Sequence, residues 1–245
     1  HNARYVTGQD TVLESAAERS VEPVHAGDRE RVKELIAVGM RELTEFFVRP
    51  DSQLKGVGTE LLSRVFLLDG MKHQMINALA NPQALAHYLK EGTTPRTPIY
   101  AFERVPESIQ IKTDIKFEAI TESPESIFAL RKIDEVILSY RRDIDHAWLL
   151  GTKKGFFYQR GERVVGYGYV ERNCGPFALL DARDYPAVLA HAETQVYETG
   201  YASVAFEVPL INCAAVSHLL ERNYRMDTLG SFLMMDTPFG KFENY

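Results

Sequence analysis

Short apolar runs typical of β-strands alternate along this sequence with segments typical of amphipathic helices. Residues 43–48 are rich in aromatic and β-branched side chains, which predicts a strand, and Pro50 ends it because proline has no N–H to donate to a sheet. Residues 60–67 follow with apolar side chains spaced for one helical face. The sequence therefore predicts a strand, a loop and a helix in succession.

The same alternation continues to the C-terminus. A helix is predicted to begin at Asp28, which is a suitable N-cap. Further strands are predicted at 72–79, 99–103, 115–120, 155–159, 163–170, 175–180, 202–208 and 231–235, and further helices at 83–90, 124–134, 135–145, 185–198 and 212–221. Gly92 is expected to end the helix at 83–90 as a C′ residue.

The order of these elements repeats once. Residues 81–85 match residues 212–216 in character, and residues 89–92 match 220–223, so the repeat period is about 130 residues and indicates a tandem duplication. We expect two modules, 21–104 and 111–245. The first is short of a central helix and hairpin, and we expect a segment to be missing near residues 39–43, because a sheet without its central hairpin would leave apolar edges uncovered.

Two glycines stand in the loop between the first strand and its helix. Gly56 and Gly58 would let the backbone approach a bulky ligand, and the N–H groups of the first helical turn would point at it, an arrangement that favours a phosphate. The alternative is an ordinary glycine-containing turn without a ligand. The loop lacks the Lys-Ser/Thr ending of a P-loop and the third glycine of a dinucleotide fingerprint.

The pattern Gln53-x-x-Gly56-x-Gly58, placed after a Val-x-Pro strand end, resembles the acetyl-CoA signature Q/R-x-x-G-x-G/A of the GNAT superfamily of N-acetyltransferases. All three fixed positions are filled. The resemblance covers most of residues 21–245, but the strong motif lies only in the first module. It implies an α/β (α+β) fold with a mixed sheet, built here as two GNAT-like modules in tandem, and acetyl-CoA as cosubstrate without a metal.

The resemblance also implies roles for individual residues. The acetyl group would pass directly from the thioester to a primary amine, with Tyr88 protonating the departing thiolate and Glu45 as a candidate base acting directly or through water. A core tyrosine and an exposed strand glutamate are the competing interpretations. The residues expected to bind acetyl-CoA are Phe47, Val48, Gln53, Leu54, Lys55, Gly56, Val57, Gly58, Thr59 and Asn81.

Within that set the expected contacts differ. The backbone of residues 55–59 would hold the diphosphate, the outer edge of the strand would bond the pantetheine arm, and a backbone N–H near Val48 would polarise the thioester carbonyl. Asn81 could bond the pantetheine, although an Asn before Pro is also an ordinary turn at a strand end.

The second module departs from this pattern where the cradle would lie. Between its strand at 175–180 and its helix at 185–198 stands Asp181-Ala182-Arg183-Asp184, with two carboxylates and no glycine. Carboxylates repel a diphosphate. We therefore expect the second module to be degenerate for CoA binding and to support or shape the site of the first.

Composition narrows the classes of partner. A net charge of −6 argues against nucleic acid or an anionic membrane as the main partner, and a homodimer is compatible with the sequence. Two cysteines are too few for a disulfide framework and fit no metal site, which favours the cytoplasm. Two other classes remain open: a non-catalytic CoA-binding or ligand-sensing protein, and a structural partner subunit. The amine acceptor is not determined.

A polar group at residues 143–146 also allows two interpretations. Asp143, Asp145 and His146 could form a metal site or an acid–base pair, but a helix end packed by charged residues is favoured because the spacing fits no metal motif. Tyr167, Tyr169 and Trp148 could line an acceptor pocket between the modules, although aromatic residues at hairpin spacing are more often part of a core.

Overall fold

A computed structural model describes residues 39–43, 55–66 and 71–245 of the chain. These fall into two compact units that do not follow a single cut in the sequence. Unit 1 comprises the N-terminal residues up to Arg96 together with Ser231–Pro238, and unit 2 comprises Thr97–Gly230 together with Phe239–Tyr245. The helix predicted from Asp28 was expected to reach Met40, but Met40 lies in a strand. Residues 28–38 of that prediction lie outside the described residues.

Unit 1 is a small mixed sheet with two helices. Its elements are β1 (Met40–Leu43), α1 (Val57–Phe66), β2 (His73–Leu79), α2 (Pro82–Lys90), the first residues of β3 (Thr94–Arg104) and the last residues of β10 (Arg225–Met235). β1 runs parallel to β2, and Ser231–Met235 of β10 runs antiparallel to β2 on its other side. The predicted strand 43–48 overlaps this β1 at Leu43, and residues 44–48 lie outside the described part of the chain.

Unit 2 contains two sheets. Its further elements are β4 (Lys116–Ala119), α3 (Pro124–Ile137), α4 (Asp143–Leu150), β5 (Lys154–Arg160), β6 (Arg163–Val170), β7 (Asn173–Cys174), β8 (Phe177–Leu179), α5 (Tyr185–Glu198), β9 (Val204–Pro209) and α6 (Cys213–Glu221). One sheet has the order β4-β5-β6-β8 and is antiparallel. In the other, β9 lies between an antiparallel β3 and a parallel β7. Both units therefore contain the mixed pairing that the sequence predicts.

The two long strands β3 and β10 each pass from one unit to the other. Residues Ile99–Arg104 of β3 pair with β9 in unit 2, although they belong to the first half of the sequence. Ser231–Met235 of β10 come from the second half and complete the sheet of unit 1. Each compact unit thus takes one strand from the other half of the chain. The modules 21–104 and 111–245 remain a prediction about the ancestry of the sequence.

The two helices of residues 124–150 differ from the prediction in their boundaries. α3 runs three residues beyond the predicted end at 134, and α4 begins at Asp143. Ser139 adopts a φ of 69°, in the left-handed region where a helix cannot continue, and its N–H bonds the carbonyl of Asp134 at 3.1 Å. The apolar spacing did not reveal this interruption because it continues through the link.

The core of unit 2 lies between α5 and the sheets. α5 buries Tyr185, Val188, Leu189, Ala192 and Val196 against strand residues such as Phe177 and Phe206. In unit 1 the corresponding cluster is smaller: Leu43, Leu62, Ile76, Ala78, Tyr88 and Met234 are all at most 6% exposed. Burial of this apolar surface is the dominant stabilising term for both units.

Candidate active site

The loop that the sequence identifies as a phosphate cradle leads directly into α1. Gly56 has a φ of +78°, which a residue with a side chain adopts only with strain, and a Cβ placed there would meet no atom within 4 Å. The N–H of Glu60 bonds the Gly56 carbonyl at 3.0 Å, so the helix begins immediately after this glycine. In such a helix the N–H groups of Val57, Gly58 and Thr59 precede the first intrahelical bond and face outward.

This first turn of α1 lies beside α2, the helix that carries Tyr88. Thr59 Oγ1 is 3.5 Å from His87 Nδ1, at the long limit of a hydrogen bond. Leu62, one turn further along α1, is packed with Tyr88 in the core cluster of unit 1. The cradle and the predicted acid are therefore parts of one packed structure.

Tyr88 is 6% exposed, and burial raises the pKa of its phenol above the ordinary value of 10.0. A raised pKa keeps the phenol protonated at neutral pH, which a proton donor requires. Its backbone is held by the C-terminal cap of α2: Thr93 donates to the Tyr88 carbonyl from its N–H at 3.2 Å and from its hydroxyl at 2.9 Å. The predicted C′ residue Gly92 has a φ of +85°, as a cap of this kind requires.

Asn81 caps the other end of α2. Its Oδ1 accepts hydrogen bonds from the N–H groups of Gln83 at 2.9 Å and Ala84 at 3.2 Å. This is the structural role that the sequence left open. The cap uses the carbonyl oxygen of the side chain, so the amide NH2 is not part of it.

Seven of the twelve predicted site residues lie where the structure describes the chain, and they lie together in unit 1. These are Lys55, Gly56, Val57, Gly58, Thr59, Asn81 and Tyr88. The other five predicted site residues lie outside the described residues, and their roles remain predictions. These are Glu45, Phe47, Val48, Gln53 and Leu54. Sequence reasoning did not single out His87 or Thr93; the only signal for Thr93 was its place directly after the C′ glycine.

Two helices, α2 and α6, follow an Asn at corresponding positions of the predicted repeat, and both helices are capped in the same way. Asn212 caps α6 through Oδ1, which accepts from Ala215 N–H at 3.1 Å, as Asn81 does for α2. At the C-terminus of α6, Asn223 has a φ of 59°, and Tyr224 N–H bonds the Leu219 carbonyl at 2.9 Å. The spacing of these bonds is that of α2, and it places the fully buried Leu219 at the position equivalent to Tyr88.

The position equivalent to the cradle in unit 2 is a 3-10 turn, Ala182–Asp184. Asp181 Oδ1 accepts from the Arg183 N–H at 3.0 Å, so this donor is already engaged. Hydrogen bonding from Arg183 lowers the pKa of Asp181 to about 2, so the carboxylate is charged at neutral pH. Asp184 pairs with Arg160 at 2.9 Å. A diphosphate would meet two carboxylates here.

The polar residues of α4 form part of a buried network in unit 2 that sequence reasoning only partly found. His146 Nε2 lies 2.7 Å from Asp134 Oδ2, and its Nδ1 lies 2.7 Å from the Tyr169 hydroxyl. The Tyr167 hydroxyl donates to Asp134 Oδ1 at 2.5 Å. All four side chains are fully buried. The prediction of core aromatic residues is confirmed for Tyr167 and Tyr169 and is wrong for Trp148, which is 66% exposed. Asp134 gave no signal beyond its place in a helix.

Among residues 39–43, 55–66 and 71–245, no three His, Cys, Asp or Glu side chains are grouped closely enough to hold a metal ion. None of the helices described in those ranges combines the length and apolar composition needed to cross a membrane.

The fold defined by these elements is shared with solved structures of acetyltransferases. A protein from Pyrococcus horikoshii, provisionally named an acetyltransferase, superposes with a TM-score of 0.60 at 17% identity over 84% of this chain and 68% of its own. A GCN5-related N-acetyltransferase from Kribbella flavida matches with a TM-score of 0.58 at 12% identity, over 96% of this chain and 70% of that one.

A third solved structure agrees with these two. The GCN5-related N-acetyltransferase from Anabaena variabilis has a TM-score of 0.57 at 14% identity, over 80% of this chain and 54% of that protein. No protein-family model and no curated protein matches the sequence. At such identities the likeness establishes the fold alone, and the predicted mixed α/β fold is confirmed.

Proposed function

We propose that this chain is an acetyl-CoA-dependent N-acetyltransferase that transfers the acetyl group directly from the thioester to a primary amine. The observation that carries the proposal is that α1 and α2 share one core cluster and that Thr59 of α1 meets His87 of α2. The glycine loop at Gly56 and the buried phenol of Tyr88 thus lie in one compact unit, in a chain whose fold is shared with solved N-acetyltransferases.

In this proposal the cradle binds the diphosphate of acetyl-CoA. Val57, Gly58 and Thr59 present N–H groups at the positive end of the α1 dipole, which favours an anion. Gly56 leaves open space where a side chain would otherwise project. Lys55 is exposed next to this loop and adds a positive charge. Gln53, Leu54, Phe47 and Val48 would extend the contact toward the pantetheine arm.

The reaction needs a proton acceptor and a proton donor. The lone pair of a neutral amine attacks the carbonyl carbon, the new C–N bond forms, and the C–S bond breaks as the tetrahedral intermediate collapses. The ammonium proton passes to Glu45, directly or through water, and the departing thiolate takes the proton of the Tyr88 hydroxyl. The buried, protonated state of Tyr88 suits this second transfer.

We further infer that the second module is degenerate and that each chain binds one acetyl-CoA. Three observations support this inference: Leu219 stands in the position of Tyr88, Asp181 occupies a donor of the equivalent turn, and Asp184 adds a second carboxylate. The caps at Asn81 and Asn212 support descent of both modules from one ancestor.

The test combines binding with turnover. Calorimetric titration with acetyl-CoA should give one site per chain, and release of free thiol should require a primary amine from a panel of antibiotics, polyamines, amino acids and peptides. Mass spectrometry should find the amine heavier by one acetyl group. Binding without turnover on any amine would favour the ligand-sensing alternative, and absence of binding would overturn the proposal.

A further inference from the structure

The last seven residues of the sequence, Phe239–Tyr245, form a strap that belongs to unit 2. Phe239 is buried, and its ring meets that of Tyr140 edge to face with 6.3 Å between the centroids. Gly240 turns the chain with a φ of +70°, and the Lys241 N–H then bonds the Ile137 carbonyl at the end of α3 at 2.6 Å. The strap is therefore anchored before its final residues begin.

Those final residues reach the ends of two other elements. Asn244 Nδ2 donates to the Leu179 carbonyl at the end of β8 at 2.7 Å. Asn212, at the start of α6, donates through Nδ2 to the main-chain oxygen of Tyr245 at 3.2 Å. Asn212 is fully buried, and its Oδ1 already caps α6. Both halves of this side-chain amide are thus used, one for the helix and one for the strap.

The aromatic end of the strap is held by Arg142. The guanidinium donates to the Tyr245 hydroxyl and lies over the same ring, 5.8 Å from its centroid. Arg142 also pairs with Asp145 at 2.9 Å, and the side chains of both residues are less than 15% exposed. Burial raises the pKa of the Tyr245 phenol to about 12, so Arg142 meets a neutral hydroxyl at physiological pH.

The place that the strap fills has a counterpart in the first copy of the repeat. β7 pairs with β9 while β8 pairs with β6, so the chain leaves one sheet for the other before it reaches Leu179. The strap lies at the end of β8 and the Asn-capped start of α6. By the repeat, these correspond to the strand before the cradle and to Asn81, where the proposed function places the pantetheine arm.

We propose that unit 2 keeps a slot between the end of β8 and the start of α6, and that the chain fills this slot with its own strap, Phe239–Tyr245. The slot offers one acceptor at Leu179, one donor at Asn212 and a cation at Arg142, so it takes a peptide with an amide and a phenol. The comparison with the first copy rests on the proposed function, but the slot itself does not. A filled slot would also exclude a second pantetheine arm.

The proposal is tested by emptying the slot and refilling it. A chain that ends at Lys241 is titrated with a synthetic peptide of residues 241–245, acetylated at its N-terminus, by calorimetry without acetyl-CoA. We expect saturable binding with one site. In the intact chain the tethered strap competes with the peptide at an effective concentration on the order of millimolar. A peptide that binds the shortened chain with a dissociation constant of about 10 µM should therefore bind the intact chain roughly 100-fold more weakly.

Matched peptides identify the contacts. The N244A peptide loses the bond to Leu179, and the Y245F peptide loses the bond from Arg142; each should bind the shortened chain at least about fivefold more weakly, since each lost hydrogen bond contributes about 1 kcal/mol. Equal binding to the shortened and intact chains, or no binding to a shortened chain that circular dichroism shows to be folded, would overturn the slot.

A second variant serves if the shortened chain does not fold. In the full chain, N244A combined with Y245F should raise the hydrogen-exchange rate of the Lys241 amide at least tenfold while the hairpin of β5 and β6 keeps its rates. Unchanged exchange at Lys241 would contradict the strap. Neither measurement involves acetyl-CoA. A failure of the proposed function would be seen as no acetyl-CoA binding by the intact chain, so it remains distinguishable from a failure of the slot proposal.

Discussion

Thr59 Oγ1 lies 3.5 Å from His87 Nδ1 and links the first turn of α1 to the helix residue that precedes Tyr88. The contact matters because the two halves of the proposed chemistry come from different helices. Leu62 and Tyr88 share one buried cluster, so displacement of either helix would disturb both the loop and the phenol. A ligand held at the loop would keep a constant distance from Tyr88, and such positioning supplies much of the rate enhancement of an enzyme.

Replacement of Tyr88 by Phe should separate binding from chemistry. The ring remains in the cluster, while the proton donor is lost, so we expect kcat to fall roughly 100-fold or more. Calorimetry should find acetyl-CoA affinity within about threefold of the parent value. Tyr197→Phe, at a tyrosine that is 52% exposed in unit 2, is the control and should leave both quantities unchanged. A fully active Tyr88→Phe enzyme would exclude Tyr88 as the acid.

The glycine loop can be tested with a pair of matched substitutions. Gly56 and Gly92 have φ values of +78° and +85°, and at both a Cβ would meet no atom within 4 Å. Glu at either position should therefore cost a similar backbone strain of about 1–2 kcal/mol. Only Gly56→Glu puts a carboxylate at the cradle, so it alone should abolish acetyl-CoA binding in calorimetry. Equal affinities in the two variants would contradict the cradle assignment.

The buried network of unit 2 should contribute strongly to stability. The Asp134 carboxylate is bonded by the Tyr167 hydroxyl on one oxygen and by the His146 ring on the other. In Asp134→Asn, one of these two partners must face the NH2 group of the new side chain, which cannot accept a hydrogen bond. We expect the free energy of unfolding in urea to fall by about 2–3 kcal/mol. Asp143→Asn is the control: its pair with Arg131 is partly exposed and should contribute at most about 1 kcal/mol. Equal losses would mean that burial of Asp134 adds nothing.

His191 should make the stability of the chain depend on pH. Burial lowers its pKa to about 4 in the folded chain, whereas an unfolded histidine titrates near 6.5. Between these values the unfolded chain binds a proton that the folded chain does not, so stability falls as the pH drops from about 6.5 to 4. The slope contributed by one such group is at most about 1.4 kcal/mol per pH unit.

His191→Phe should reduce that slope. The ring of His191 stacks on Phe117 with 4.0 Å between the centroids, and Phe can keep this contact without taking up a proton. Urea unfolding at pH 7.5 should be nearly unchanged, while the parent and variant diverge below pH 6.5. Part of the slope should persist, because burial also lowers the pKa of His218. Parallel curves for parent and variant would contradict a neutral, buried His191.

Features that depend on neighbours in the sequence were predictable. The glycine at position 56 and the C′ role of Gly92 follow from local backbone preferences, and both residues have the positive φ that favours glycine. The N-caps at Asn81 and Asn212 were seen only in the structure. The helix at 185–198 was predicted with its observed bounds because its apolar spacing and its ends agree. The boundary near Ser139 was wrong, since its left-handed φ has no sequence signature in a non-glycine residue.

The sequence by itself determined the mixed α/β fold class and the glycine loop, because each of these depends on residue order over a few turns or strands. Only the tertiary structure decided that β3 and β10 complete sheets in units remote from their own half of the chain, and that Asn244 meets Leu179. Such contacts depend on which polar groups are buried next to each other when the chain folds. A buried donor must find an acceptor wherever the fold provides one, and sequence spacing does not specify that partner.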